Sequence, residues 1–100
     1  MSLTLIMTWD IKEEMDQDYF EFVVRDFIPS LQRMGMEPSD AWYTVYGKQP
    51  QIMTAAQMPN LRALQDTLNS TEWESLTNTI LDYVENFEYK IVPSKTGFQL

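Results

Sequence analysis

Trp9, Trp42, Tyr43, Tyr46, Trp73 and Tyr89 are the residues whose chemistry could build a ligand site. Set around a cavity between sheet and helices, they would supply apolar walls and a few indole and phenol donors, enough to hold a flat apolar or aromatic small molecule. The same rings also suit the packing of a small core and a dimer seam, so ring chemistry leaves both uses open. Asp10, Lys12, Glu13 and Glu14 gather at the end of a first apolar segment, where they could serve as acid and base. A solvated loop is the simpler use for them, because paired carboxylates split their pKa values only at fixed separation in low dielectric. Glu72, Glu74, Asp82 and Glu85 fall on more than one side of a helical segment, whereas hard cations want about six converging oxygens. They read as a solvated face, and no metal site is expected.

Composition removes whole classes of chemistry. Cysteine and histidine are both absent, which excludes disulfides, Ser-His-Asp and Cys-His catalysis, the usual zinc sites and a His- or Cys-ligated haem. No cofactor is expected. Fifteen acidic residues against seven scattered basic ones give a net charge of −8, so nucleic acid and anionic membrane are unsuited as partners, both needing clustered cations. Gly35, Gly47 and Gly97 stand alone, so no glycine-rich phosphate loop exists. The first residues lack a positive n-region, and no apolar run approaches a membrane span; a cytoplasmic location is the expectation.

The elements that must position these residues follow from periodicity. Leu3, Leu5, Met7 and Trp9 alternate with Thr4, Ile6 and Thr8, which predicts a strand at 3–9. Asp16 or Asp18 can cap a helix over 16–34 whose apolar positions are Phe20, Val23, Phe27, Leu31 and Met34, stopped by Gly35. Pro29 predicts a kink or short break within it. Strands at 41–47 and 51–57 flank the turn Gly47-Lys48-Gln49-Pro50. A helix at 60–69 carries Leu61, Leu64 and Leu68. Another at 71–85 opens on a Thr71–Glu74 capping box and continues through Trp73, Leu76, Ile80 and Tyr83 or Val84. A fourth strand at 86–92 precedes a tail in which Phe98 is expected to pack beside a dimer seam rather than stand in solvent.

The order βαββαβ across one hundred residues predicts a single α+β domain with the ferredoxin-like fold: a four-stranded antiparallel sheet with both helices on one face. RNA-recognition domains share that order, but their third strand carries a basic-Gly-aromatic run, which Gln51-Ile52-Met53-Thr54-Ala55-Ala56 lacks. The second strand offers Trp42 and Tyr46 on one side and Tyr43 and Val45 on the other, so both sheet faces are expected to be dry. An uncovered apolar face marks an interaction surface, and a second copy of the chain is its simplest partner.

With that order, the Ser70-Thr71-Glu72-Trp73 helix start and the closing Phe87-Glu88-Tyr89-Lys90-Ile91-Val92-Pro93, the chain resembles the dimeric α+β barrel superfamily, and within it NIPSNAP-like and antibiotic-biosynthesis-monooxygenase-like small domains. The resemblance implies a homodimer with sheet pressed on sheet. Its haem-degrading branch uses a histidine that this chain lacks. Its cofactor-independent oxygenases use an Asn, Trp and Tyr constellation whose residue types recur here as Trp73, Asn78, Tyr83 and Asn86, with no residue-by-residue match. The expectation is a dimeric small-molecule-binding or stress-related domain with an apolar or aromatic pocket. The alternative is a cofactor-independent monooxygenase or isomerase acting on an aromatic or polyketide-like substrate.

Overall fold

Alternation along β1 (Leu3–Ile11) sends Leu5, Met7, Trp9 and Ile11 into the core and Thr4, Ile6, Thr8 and Asp10 to the opposite face. The computed structural model describes residues 2–38, 42–43 and 50–94, at 42–43 the backbone only. In it β1 lies between two antiparallel neighbours. β4 (Ile52–Met58) runs beside it from Leu3 opposite Met58 to Trp9 opposite Ile52. On the other side β5 (Val84–Pro93) runs from Leu3 opposite Pro93 to Ile11 opposite Val84. Two short stretches, β2 (Glu37–Pro38) and β3 (Trp42–Tyr43), both pair antiparallel with the outer edge of β4. Counting that edge once, the sheet has the order β2/β3, β4, β1, β5. Pro38 sits on the outer edge, where its missing N–H interrupts no internal ladder.

All the helices cover one face. Leu5, Met7, Trp9 and Ile11 pack with Tyr19, Phe22, Phe27 and Leu31 from the first helical region and Leu64, Trp73, Leu76 and Ile80 from the second. Each large side chain buried there contributes about 1.5–3 kcal/mol. Trp9 is the centre of this layer. Its ring stacks on Phe87 at 5.8 Å and meets Phe27 edge-on at 5.6 Å, and its indole N–H donates to the Tyr19 hydroxyl at 2.9 Å.

The helix expected over 16–34 is three pieces: α1 (Asp16–Phe22), a π-helical stretch (Val23–Phe27) and α2 (Ile28–Arg33). The break expected at Pro29 falls in the turn before it, where the Ile28 N–H reaches the Val23 carbonyl, five residues back. This widening moves the buried face by one residue. Counting back from Phe27 in steps of three or four gives Val23 and Phe20, but the buried residues are Phe22 and Tyr19, and Phe20 is 46% exposed. No side chain caps α1; the N-cap position is Met15, and Asp16 and Asp18 lie in the first turn, where they favour the helix dipole.

Gly35 ends α2 with φ 87°, its N–H bonded to the Gln32 carbonyl and that of Met36 to the Leu31 carbonyl. That pair of bonds, with Met36 and Leu31 both buried, is a Schellman stop.

Helix α3 (Leu61–Leu68) is capped by Asn60, whose Oδ1 accepts the Ala63 N–H at 2.8 Å. Helix α4 (Thr71–Ile80) is capped by Ser70, whose Oγ accepts the Trp73 N–H at 3.1 Å, so the cap lies one residue before the expected Thr71–Glu74 box. α4 also stops at Ile80 rather than 85. The Asp82 and Tyr83 N–H groups close a turn onto Thr79 and Ile80, and Val84 is drawn into the ladder opposite Ile11, where tertiary pairing overrides helical spacing. β5 therefore begins earlier than 86. Residues 41 and 44–47 of the expected second strand, the turn up to Gln49, and the tail from 95 with Phe98 lie outside the described residues. Among the described residues no helix is long and apolar enough to cross a membrane.

Candidate functional site

Three of the six aromatic candidates are joined along β5 and α4. Trp9 stacks on Phe87, Phe87 meets Tyr89 edge-on at 6.4 Å, and Tyr89 meets Trp73 edge-on at 5.9 Å. Trp9 and Trp73, the two ends of the row, are buried in the core, and Tyr89, between Phe87 and Trp73, is its exposed member. Around Trp9 the space between sheet and helices is occupied by Tyr19, Phe27 and Phe87 rather than left for a ligand. The Trp42 backbone lies opposite Met53 and that of Tyr43 opposite Ile52, while Tyr46 lies outside the described residues.

A concave surface lies instead on the sheet face that the helices leave open. Two adjoining hollows run along β1 and β5 and share Thr8, Pro50 and Glu88. One, of about 520 Å³, is lined among the described residues by these three with Asp10 and Asn86. The other, of about 260 Å³, adds Ile6, Tyr89 and Lys90. This face is mixed rather than dry: Ile6, Met53, Ala55 and Val92 lie among Thr4, Thr8, Gln57, Glu88 and Lys90.

Asp10 is the anchor of the groove. It is 3% exposed, and both carboxylate oxygens accept hydrogen bonds, Oδ1 from the Gln51 N–H at 2.8 Å and Oδ2 from the Asn86 amide at 2.9 Å. Gln51 returns the contact, its Oε1 accepting the Ile11 N–H at 2.7 Å. The end of β1 is thus clasped to the start of β4 and to β5. Asn86 reaches Asp10 from a bulge: the β1–β5 register shifts between Thr8 opposite Glu88 and Asp10 opposite Glu85, and Asn86 takes φ 58°, a left-handed conformation that asparagine tolerates better than most residues.

No family model matches the sequence, and no curated protein matches it. Solved structures do match over nearly the whole chain. A NIPSNAP family protein from Agrobacterium tumefaciens superposes with TM-score 0.73 at 14% identity, covering 95% of this chain and 94% of that one. This chain has the ferredoxin-like fold of NIPSNAP-family proteins. HapK from Hahella chejuensis gives TM-score 0.74 at 12% identity over 98% of each chain. A dimeric protein of unknown function and ferredoxin-like fold from Bacteroides fragilis gives 0.61 at 10% identity, over 91% of this chain and 94% of that one. Identities this low carry the fold alone.

On that fold the open-face groove offers hydrogen-bond acceptors beside apolar surface. A carboxylate has about four lone-pair positions, and the two contacts to Asp10 leave room for more. Sequence reasoning placed Asp10 with the loop acids Glu13 and Glu14; the signal it missed is an aspartate at an even position of a strand whose odd positions are core. The acids of the last helical region remain at the surface, Glu72 meeting Arg33 at 3.7 Å. Among the described residues no three carboxylates gather as a metal site would require.

Proposed function

We propose that this protein is a homodimer that binds a small molecule in the open-face groove between β1 and β5. The observation that carries this reading is the groove itself, whose two adjoining hollows place a buried, hydrogen-bonded carboxylate at Asp10 beside Pro50 and Ile6. Ligand sites are concavities of this scale with mostly apolar walls and a few placed polar groups. A second copy laid on the open face would roof the groove and exclude water from it, and a dimeric neighbour of the same fold supports a homodimer. The indole rings of Trp9 and Trp73 then serve the core behind the site. Light scattering should give twice the 11.8 kDa chain mass, and native mass spectrometry of protein from its own host should show added mass of a carried small molecule. A monomer at micromolar concentration would remove the roof from this reading.

One observation favours a second reading, a cofactor-independent oxygenase or isomerase acting on an aromatic or polyketide-like substrate. A buried carboxylate with an amide partner in a groove wall is the kind of group that takes a proton from a bound carbon or phenol acid. Oxygen uptake or isomerisation of such a substrate, lost in Asp10→Asn, would support it.

A further inference from the structure

We infer that two copies of the chain pair along the free edge of β5, antiparallel and centred on Tyr89, in a contact separate from the open-face dimer.

Among the described residues β5 ends the sheet, with β1 on one side and no strand on the other. Parity along the strand decides which backbone groups face that edge. The Ser94 N–H donates to the Ser2 carbonyl, and an antiparallel ladder repeats this pattern every second residue, so Val92, Lys90 and Glu88 bond to Thr4, Ile6 and Thr8. Phe87, Tyr89 and Ile91 therefore turn their N–H and carbonyl groups outward. The bulge at Asn86 bounds this stretch at one end, and Pro93, with no N–H to offer, bounds it at the other.

Charge selects the occupant and the register. A second β5 set antiparallel, with Tyr89 opposite Tyr89, engages every outward group of the three residues and places Glu88 opposite Lys90 of the second copy, twice by symmetry. A shift of two residues either way, the least that keeps the outward groups paired, sets Glu88 against Glu88 or Lys90 against Lys90. Like charges directly opposite destabilise a ladder. The helix-side rings agree with the same register: Tyr89 is 46% and Ile91 39% exposed, and the pairing lays Tyr89 beside Tyr89 and Ile91 beside Phe87. About five residues a side fall well short of the roughly 20–30 of a standard interface, so the contact is weak and forms above micromolar concentration.

Amide hydrogen exchange of the unaltered chain, read by NMR between about 50 μM and about 1 mM, reports the edge directly. Glu88, Lys90 and Val92 should be protected throughout by β1, whereas Phe87, Tyr89 and Ile91 should gain protection several-fold with concentration. Those three exchanging at one rate across the range would overturn the inference, a fast rate meaning a bare edge and a slow one meaning cover from within the chain. Tyr89→Cys, in a chain with no other cysteine, adds a test of register. In glutathione buffer it should form a disulfide dimer at least about tenfold faster than Ile91→Cys, because the pairing sets two copies of position 89 about 5.5 Å apart and two copies of position 91 about 13 Å apart. Adding Glu88→Lys or Lys90→Glu should slow the cross-link several-fold, and adding both should restore it. Tyr89 meets Trp73 on the helix side of the sheet, where an open-face dimer brings no two copies together, so the cross-link and the dimer mass fail independently. Equal rates at positions 89 and 91, or no recovery on exchanging both charges, would overturn the pairing.

Discussion

The Asn86 side-chain amide donates to Oδ2 of Asp10 at 2.9 Å across seventy-six residues of sequence. Two demands meet at Asn86, a left-handed backbone and an amide aimed at a buried carboxylate. Asn86→Gly keeps the first and removes the second, and should cost about 1 kcal/mol. Asn86→Ala removes both and should cost roughly 2–3 kcal/mol, adding backbone strain of about 1–2 kcal/mol. Urea unfolding of the two variants separates the terms; equal losses would mean that the bulge imposes no strain.

Tyr19 accepts the hydrogen bond of the Trp9 indole through its hydroxyl. Tyr19→Phe keeps the ring and strands a buried donor, so stability should fall by about 1–3 kcal/mol. Thermal unfolding measures the loss, and an unchanged melting temperature would show that water replaces the hydroxyl.

Ser70, not Thr71, caps α4. Ser70→Ala should cost about 1 kcal/mol and Thr71→Ala within roughly 0.5 kcal/mol of nothing. Denaturant midpoints for the pair decide between the two assignments; the reverse order would restore the box read from Thr71 and Glu74.

At Gly35 a Cβ would meet nothing within 4 Å, yet φ is +87°. Gly35→Ala should therefore destabilise by about 1–2 kcal/mol through backbone conformation alone, and Gly35→Asn by less. Were the alanine variant as stable as the parent, the Schellman stop would have to relax without loss.

The helix and strand order was legible because each element carries its own period, two for β1 and between three and four for α3 and α4. What escaped was set by partners distant in sequence. Val84 fits helical spacing after Ile80 and is a strand residue because Ile11 pairs with it. The Asp10 clasp needs a bulge in β5 and Gln51, the residue before β4, at once, and neither is written near Asp10. The aromatic residues were legible as apolar, but whether a ring fills a core or walls a cavity depends on what stands beside it; at Trp9 that is Tyr19, Phe27 and Phe87.

The π-helical stretch gives the first helical region the character of a spliced insertion. In an unbroken α-helix, side chains five apart diverge by about 140°, yet Phe22 and Phe27 both enter the core with ring centroids 6.2 Å apart. Deleting Val24, which is 67% exposed, would leave those two rings four apart in an ordinary α-helix, about 40° from each other. Tyr19, Phe22, Phe27 and Leu31 would then all keep their place in the core. The wide turn thus holds one residue more than the core face needs, and losing it would straighten the winding without turning either half of the segment toward water.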